Sequence, residues 1–279
     1  MQKGITDIHT HSAYSFDSKE QLEKMLESAY QKGVLFFGTS EHFDYDQIFL
    51  PEFQHKRFVD EEAYFHAARH LQEDYEGAMH YLVGVEFGYS DAPRTHARYQ
   101  QTIDERHPDY IINSMHTLNG EDYSDYSAFY CKDATGKKVL RDRMEVFRQY
   151  LELVRRSLDV AYAYDVVGHF GYIARYSPYG EKGMPIAELQ EEIDDILKTI
   201  IAKGKILEIN SSTQDVCIPP LPIVKRYYQL GGRMLSFGSD SHDGARIEDK
   251  YEQICSALKE IGFTYFTIPF KGEYIKVEM

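Results

Sequence analysis

Short apolar runs recur along this chain. Each ends in a polar residue, most of them able to ligate a metal, and a helical pattern follows. Ile5-Thr6-Asp7-Ile8 leads into His9 and His11, and Val34-Leu35-Phe36-Phe37-Gly38-Thr39 leads into Ser40-Glu41-His42. Met79–Val85 delivers Glu86, Tyr110–Met115 ends at His116, and Asp165–Gly168 ends at His169. Ile206–Ile209 ends at Asn210, and Met234–Phe237 leads to Gly238-Ser239-Asp240-Ser241-His242. Continuously apolar runs suit strands buried on both faces. Their alternation with helices argues for an α/β chain with a parallel sheet and helical crossovers. About seven strand–helix units can be counted, which points to a closed or nearly closed barrel. An open doubly wound sheet is the alternative.

The intervening helices carry their own signals. Ser18 with Gln21 reads as a capping box opening a helix that Gly33 closes. Asp60 caps a helix to Glu76, residues 95–107 form another, and one long helix is expected over 141–163. Pro185 opens a helix to Lys203, Pro219-Pro220 precedes one ending at Gly231-Gly232, and residues 249–261 form the last. A strand near Tyr265–Ile268 follows. Two connections are long: 43–58, punctuated by Pro51, and the tyrosine-rich 117–138. The second far exceeds the usual ~4–6 residues, a size typical of lids and binding loops. No composition shift marks a linker, so 1–279 reads as one domain.

A formal charge of −14 disfavours non-specific nucleic-acid binding, which needs basic surface to neutralise phosphates. Three scattered cysteines (Cys131, Cys217, Cys255) form no disulfide framework, and the start lacks a signal-peptide pattern. No apolar run approaches the ~20 residues that span a bilayer. A cytoplasmic protein without membrane contact is expected. Oligomeric state is not legible.

His9 and His11 are spaced i, i+2, so on an extended backbone they face the same way. In a parallel barrel, residues just past the strand ends converge on one mouth. His9, His11, His42, Glu86, His116, His169, Asp240 and His242 should therefore meet, and Asp17 can reach back to them. Imidazole and carboxylate together suit Zn, Fe or Mn. Other candidates are weaker. His66 and His70 lack the interposed glutamate of a His-Glu-x-x-His helix and read as a solvated face. His55, His80, His96 and His107 read as ordinary. Asp44-Tyr45-Asp46 begins like an Asp-x-Asp phosphatase motif but runs into Gln47 and Ile48, and reads as loop chemistry. Gly238-Ser239-Asp240 is no nucleophile elbow.

His9-x-His11, Ser40-Glu41-His42, Glu86, Ser114-Met115-His116, His169 and Ser239-Asp240-Ser241-His242 together resemble the PHP (polymerase and histidinol phosphatase) metal-dependent phosphoesterases. The likeness covers nearly the whole chain. Its length, Asp17 and extra loops resemble the histidinol-phosphate phosphatase branch in particular. The resemblance implies a distorted (β/α)7 TIM-like barrel and three metal ions. One would take His9, His11, Glu86 and Asp240. A second would share Glu86 and add His116 and His169. The third would take Asp17, His42 and His242.

The implied activity is hydrolysis of L-histidinol phosphate in histidine biosynthesis by a metal-activated hydroxide, with Glu86, Asp240 and His242 in the chemistry. His242 is one candidate for protonating the leaving group, metal-bound water the other. Six neutral imidazoles and three carboxylates with three divalent ions leave about +3, a match for a phosphate dianion. Arg175, six residues past His169, is the candidate phosphate clamp. Ser12, Asn113 and Asn210 are further candidates to face the pocket. An aromatic and acidic wall from the 123–130 loop and strand-end glutamates would suit the imidazole and amine of histidinol. The competing expectations are a PHP nuclease, a non-catalytic PHP-like binding protein, and a metal-free α/β protein.

Overall fold

The computed structural model describes residues 2–45, 58–118, 120–124 and 126–279. Pro51, His55 and Asp46, with most of the expected 43–58 loop, lie outside the described residues.

Seven strands form one sheet: β1 (Ile5–Asp7), β2 (Val34–Phe43), β3 (His80–Gly88), β4 (Tyr110–Ser114), β5 (Val166–Val167), β6 (Ile206–Asn210) and β7 (Leu235–Gly238). They lie side by side in chain order, and every pairing is parallel. Such an order is what successive strand–helix units produce when each crossover returns beside its own strand. The sheet's two edges then meet. Ile8 N donates to Phe237 O (3.1 Å), Asp240 N to His9 O (2.8 Å) and His11 N to Ser241 O (2.8 Å). Asp7 adds a pin, its two carboxylate oxygens accepting from Ser239 N and Glu248 N (both 2.9 Å). The result is a nearly closed, distorted seven-stranded barrel of the kind expected from the alternation, and the open doubly wound alternative is set aside.

Helices α1 (Leu22–Gln31), α2 (Glu61–Asp74), α3 (Pro93–Arg106), α4 (Arg143–Ser157), α5 (Gln190–Ala202), α6 (Leu221–Gln229) and α7 (Tyr251–Ile261) alternate with the strands. Their buried residues fall at helical spacing, as Leu22, Met25, Leu26 and Ala29 do in α1. Asp60 and Asp142 cap α2 and α4 by accepting from Ala63 N and Glu145 N. After α7, β8 (Tyr265–Phe270) and β9 (Glu273–Glu278) form an antiparallel pair, and β9 takes Gln2–Lys3 as a parallel neighbour.

Several boundaries differ from the sequence expectation. No Ser18–Gln21 capping box forms. The Ser18 hydroxyl donates to His242 O (2.9 Å), so it ties two site segments together and α1 starts only at Leu22. The 141–163 helix stops at Ser157, where Asn113 Nδ2 takes the Ser157 carbonyl (3.0 Å). The segment after Pro185 is turn until Gln190. The 117–138 stretch is not free loop. It holds two small antiparallel hairpins, Thr117–Leu118 with Glu121–Asp122 and Tyr130–Lys132 with Lys138–Leu140.

Candidate metal centre

The barrel brings all nine candidate ligands together around Glu86. β2 and β3 are paired so that His42 lies directly beside Glu86, and both point the same way by the two-residue strand period. Glu86 Oε1 lies 3.1 Å from His116 Nε2 and 3.0 Å from His169 Nε2. It lies 3.4 Å from His9 Nε2. Glu86 Oε2 lies 2.9 Å from His42 Nδ1 and 3.7 Å from His11 Nε2. Asp240 Oδ1 is 3.3 Å from His11 Nε2 and 3.8 Å from His9 Nε2. Asp17 reaches back as expected, its Oδ2 3.0 Å from His242 Nε2 and 3.5 Å from His42 Nε2.

Four overlapping trios (His9/His11/Glu86, His9/His169/Asp240, His42/Glu86/His116 and His11/His42/His242) each place their ligating atoms within 4.8 Å of one another. Glu86 Oε2 and His42 Nδ1, though 2.9 Å apart, lack hydrogen-bond geometry, and both are fully buried. Two ligands of a common cation face each other in this way. The donor set and these orphaned atoms fit divalent metal.

The electrostatics fit the same conclusion. Burial works to raise the Glu86 carboxyl, but His116, His9 and His42 outweigh it and hold it well below the usual carboxylate range. Asp240 and Asp17 are depressed against burial by their imidazole neighbours. Burial works to lower His116, yet Asp44 and Glu86 push it up to about 10. Burial, with His42 and His242 close by, drives His11 down to about 3, which favours the neutral imidazole, with one ring nitrogen free to ligate. A divalent cation bound there would displace the protons that such carboxylate–imidazole pairs share.

A second layer aims the ligands, and the sequence reading missed most of it. Glu208, buried on β6, accepts from His9 Nδ1 and from His169 N (both 2.5 Å). This fixes His9 with Nε2 toward the cluster. Asp44, read from the sequence as loop chemistry, lies 2.7 Å from His116 Nδ1 through Oδ1 and plays the same part. Ser15, itself held by Glu41, lies 3.2 Å from His11 Nδ1. Such outer partners set the tautomer and orientation of ligating histidines. The strand-end logic could not find Glu208 because it lies inside its strand, two residues before Asn210. The available signal was an acid in the apolar run Ile206-Leu207-Glu208-Ile209, since an unpaired charge is almost never fully buried.

None of the four substrate-contact candidates, Arg175, Ser12, Asn113 and Asn210, is among the described lining residues of the cavity over the cluster. Arg175 lies on a 3₁₀ turn, Tyr172–Tyr176, which sets it three residues from Tyr172 and over that ring. It donates to Tyr172 Oη (2.8 Å) and to Ser212 O and Oγ (2.8 and 2.7 Å), and does not line the site cavity. Ser12 is consumed by Glu41 through its amide and hydroxyl. Asn210 Oδ1 accepts from Ser212 N (2.8 Å). Asn113 bonds Ser157 O and Tyr162 Oη and is structural. The cavity over the cluster, about 100 Å³ and open to solvent, is walled by Phe16, Tyr123, Tyr172 and Tyr176, with Asp122 and Ser124. No Lys or Arg is among its described lining residues.

A nearly closed seven-stranded barrel with imidazoles and carboxylates gathered at its strand ends is the architecture of the PHP domain family, and the chain belongs to that family. The family's PHP domain model matches residues 7–212. The chain is 29% identical to a probable histidinol-phosphatase of Clostridium acetobutylicum, the match covering 85% of this chain and 86% of that one. It is 28% identical to the histidinol-phosphatase of Lactococcus lactis, over 92% of this chain and 91% of that one. The crystal structure of histidinol phosphate phosphatase from Lactococcus lactis, complexed with zinc, L-histidinol and phosphate, matches with a TM-score of 0.84 at 26% identity, covering 99% of this chain and 100% of that one.

Proposed function

We propose that this chain is a metal-dependent phosphomonoesterase that hydrolyses L-histidinol phosphate to L-histidinol and phosphate in histidine biosynthesis. The observation that carries this is the Glu86-centred cluster under a cavity whose described lining has no Lys or Arg. A phosphate dianion entering such a cavity needs its charge met by metal. The relatives' names, and the zinc, L-histidinol and phosphate bound to one of them, support the substrate.

His9, His11, Glu86 and Asp240 would hold one ion; Glu86, His116 and His169 a second; Asp17, His42 and His242 a third. Zn, Fe and Mn all suit these donors. Bound there, the ions would supply Lewis-acid stabilisation of phosphoryl charge and water acidic enough to attack near neutral pH. Glu208 and Asp44 add two negative charges to those of Asp17, Glu86 and Asp240. With three divalent ions the site would carry about +1, not +3, still attractive to a dianion.

Glu86, at the centre, keeps the ligands of neighbouring ions within reach of one carboxylate. Asp240 adopts a left-handed backbone (φ 52°) that aims its carboxylate back at His11. Such strain is tolerated where the surroundings fix it, and is concentrated at functional sites. His242 is the most exposed of the six imidazoles, at 29%. It stands at the mouth, and either metal-bound water or His242 turned away from the ion would protonate the leaving alkoxide.

The reaction belongs in the cytoplasm, in keeping with three free cysteines. No helix among the described residues is long and apolar enough to cross a membrane. Residues 1–279 would act as a single catalytic domain on a small molecule and not on nucleic acid, in keeping with the −14 charge. The test is phosphate release by metal-loaded protein from L-histidinol phosphate, sugar phosphates, nucleotides and short DNA, with His9→Ala as control. A kcat/KM for L-histidinol phosphate at least about a hundredfold above the rest, lost in the variant, is expected. Equal slow turnover of every monoester, or preferential DNA cleavage, would remove the assignment.

A further inference from the structure

Three tyrosines, Tyr123, Tyr172 and Tyr176, wall the site cavity, and their hydroxyls are not equivalent. The Tyr123 hydroxyl donates to Met115 O. The Tyr176 hydroxyl donates to Tyr172 Oη (3.4 Å). Both of those protons are taken up by the protein. Tyr172 Oη accepts a second contact, from Arg175 Nη1 (2.8 Å). A phenolic oxygen donates one proton and accepts through its lone pairs, and a guanidinium has no acceptor to return. Among the described residues, no acceptor takes the Tyr172 proton.

The surroundings of Tyr172 indicate where that proton can go. Its ring lies 4.6 Å from that of His169, and it lines the cavity together with His116 and Asp240. No Lys or Arg is among the described lining residues. Arg175 stays behind the wall, held as well by Ser212 O and Oγ (2.8 and 2.7 Å). A cation that donates to a hydroxyl polarises its O–H and makes it a stronger donor to a third group. The charge of Arg175 thus reaches the cavity through one phenol.

We propose that Tyr172 is a substrate-binding residue whose hydroxyl donates to a non-bridging oxygen of the bound phosphoryl group. Arg175 is a positioning residue. It occupies a lone pair of Tyr172 Oη, turns the proton away from itself and strengthens it as a donor. The phosphoryl group is the target because Tyr172 stands against His169, a candidate metal ligand. This rests on the phosphomonoesterase reading and adds a protein donor to the metal charge that meets the phosphate.

The test uses Tyr172→Phe, which keeps the ring, and Arg175→Met, alone and together, all compared with wild type at equal bound metal. Affinity for inorganic phosphate is read by calorimetry on zinc-loaded protein, and kcat/KM is read on L-histidinol phosphate and ethyl phosphate. Y172F is expected to weaken phosphate about tenfold or more and to lower kcat/KM on both esters alike. R175M is expected to weaken phosphate about three- to tenfold in wild type, but less than about twofold once residue 172 is Phe. Phosphate affinity unchanged in Y172F would overturn the proposal. So would an R175M cost that is the same in both backgrounds, the result for an arginine that merely pins its turn to Ser212. A Y172F loss confined to L-histidinol phosphate would also overturn it, since the hydroxyl would then read the organic half. If wild type hydrolysed neither ester, the functional reading above would fall, and phosphate affinity alone would still decide this proposal.

Discussion

At the level of single residues, the site depends on groups that never touch a substrate. Glu208 accepts from His9 Nδ1, leaving Nε2 as the lone pair facing the cluster. In Glu208→Gln the amide can still accept from His169 N, but its NH₂ then confronts His9 Nδ1 and favours the wrong tautomer. Metal affinity is expected to fall about 10–100-fold with the fold retained, measured by chelator competition and circular dichroism. Affinity equal to wild type would show that His9 needs no such partner. Gly238 makes the same point through space. A Cβ there would run into the Glu208 carboxylate and the Cβ of His9. Gly238→Ala is expected to lower bound metal measurably after dialysis, whereas an inert backbone position would leave metal content unchanged. The His and Asp positions at strand ends were legible in sequence because their spacing repeats after each apolar run. Glu208, Glu41 and Asp44 were not. They support other side chains, so no periodicity announces them, and only the oddity of acids within or beside apolar strands hints at their role.

Among the elements, the strands were the most legible, because fully apolar runs of strand length have few other uses in an α/β chain. Boundaries set by side-chain chemistry were less so. Ser18 left its cap position to bond His242 O, and Arg175 was turned by a 3₁₀ turn that the run from Gly171 to Tyr176 does not advertise. At the entry to β5, Asp165 joins two elements, accepting from Ile111 N and from Tyr274 Oη (both 3.0 Å). Burial raises its carboxyl above the ordinary value, against the milder pull of the Ile111 amide, Tyr274 and Lys205. A carboxyl raised on folding favours the fold while protonated, below about pH 3.8. That contribution is lost as pH climbs through the raised value. Asp165→Asn can accept from Ile111 N and donate to Tyr274 Oη without ionising. Its Tm is expected to exceed wild type by about 1–3 °C at pH 7 and to match it near pH 3. An advantage that is the same at both pH values would contradict the ionisation argument.

For the whole molecule, an acidic chain of net charge −14 gathers six imidazoles and five carboxylates around one site, and the described lining of the cavity above carries rings and no Lys or Arg. Such a cluster is costly to bury without a cation. Metal that binds only the folded state is expected to raise Tm by about 5–15 °C over chelated protein, and equal melting with and without zinc would argue that the cluster is closed by protons alone. The central claim is that metal held by these strand-end residues performs phosphomonoester hydrolysis. It is tested most directly by titrating zinc, manganese or ferrous iron into chelated protein while following phosphate release from L-histidinol phosphate. Release should be absent from the chelated protein, rise with bound metal, and stay absent in His9→Ala at matched metal concentration. Full activity in the chelated protein, or a His9→Ala variant as active as wild type, would contradict it.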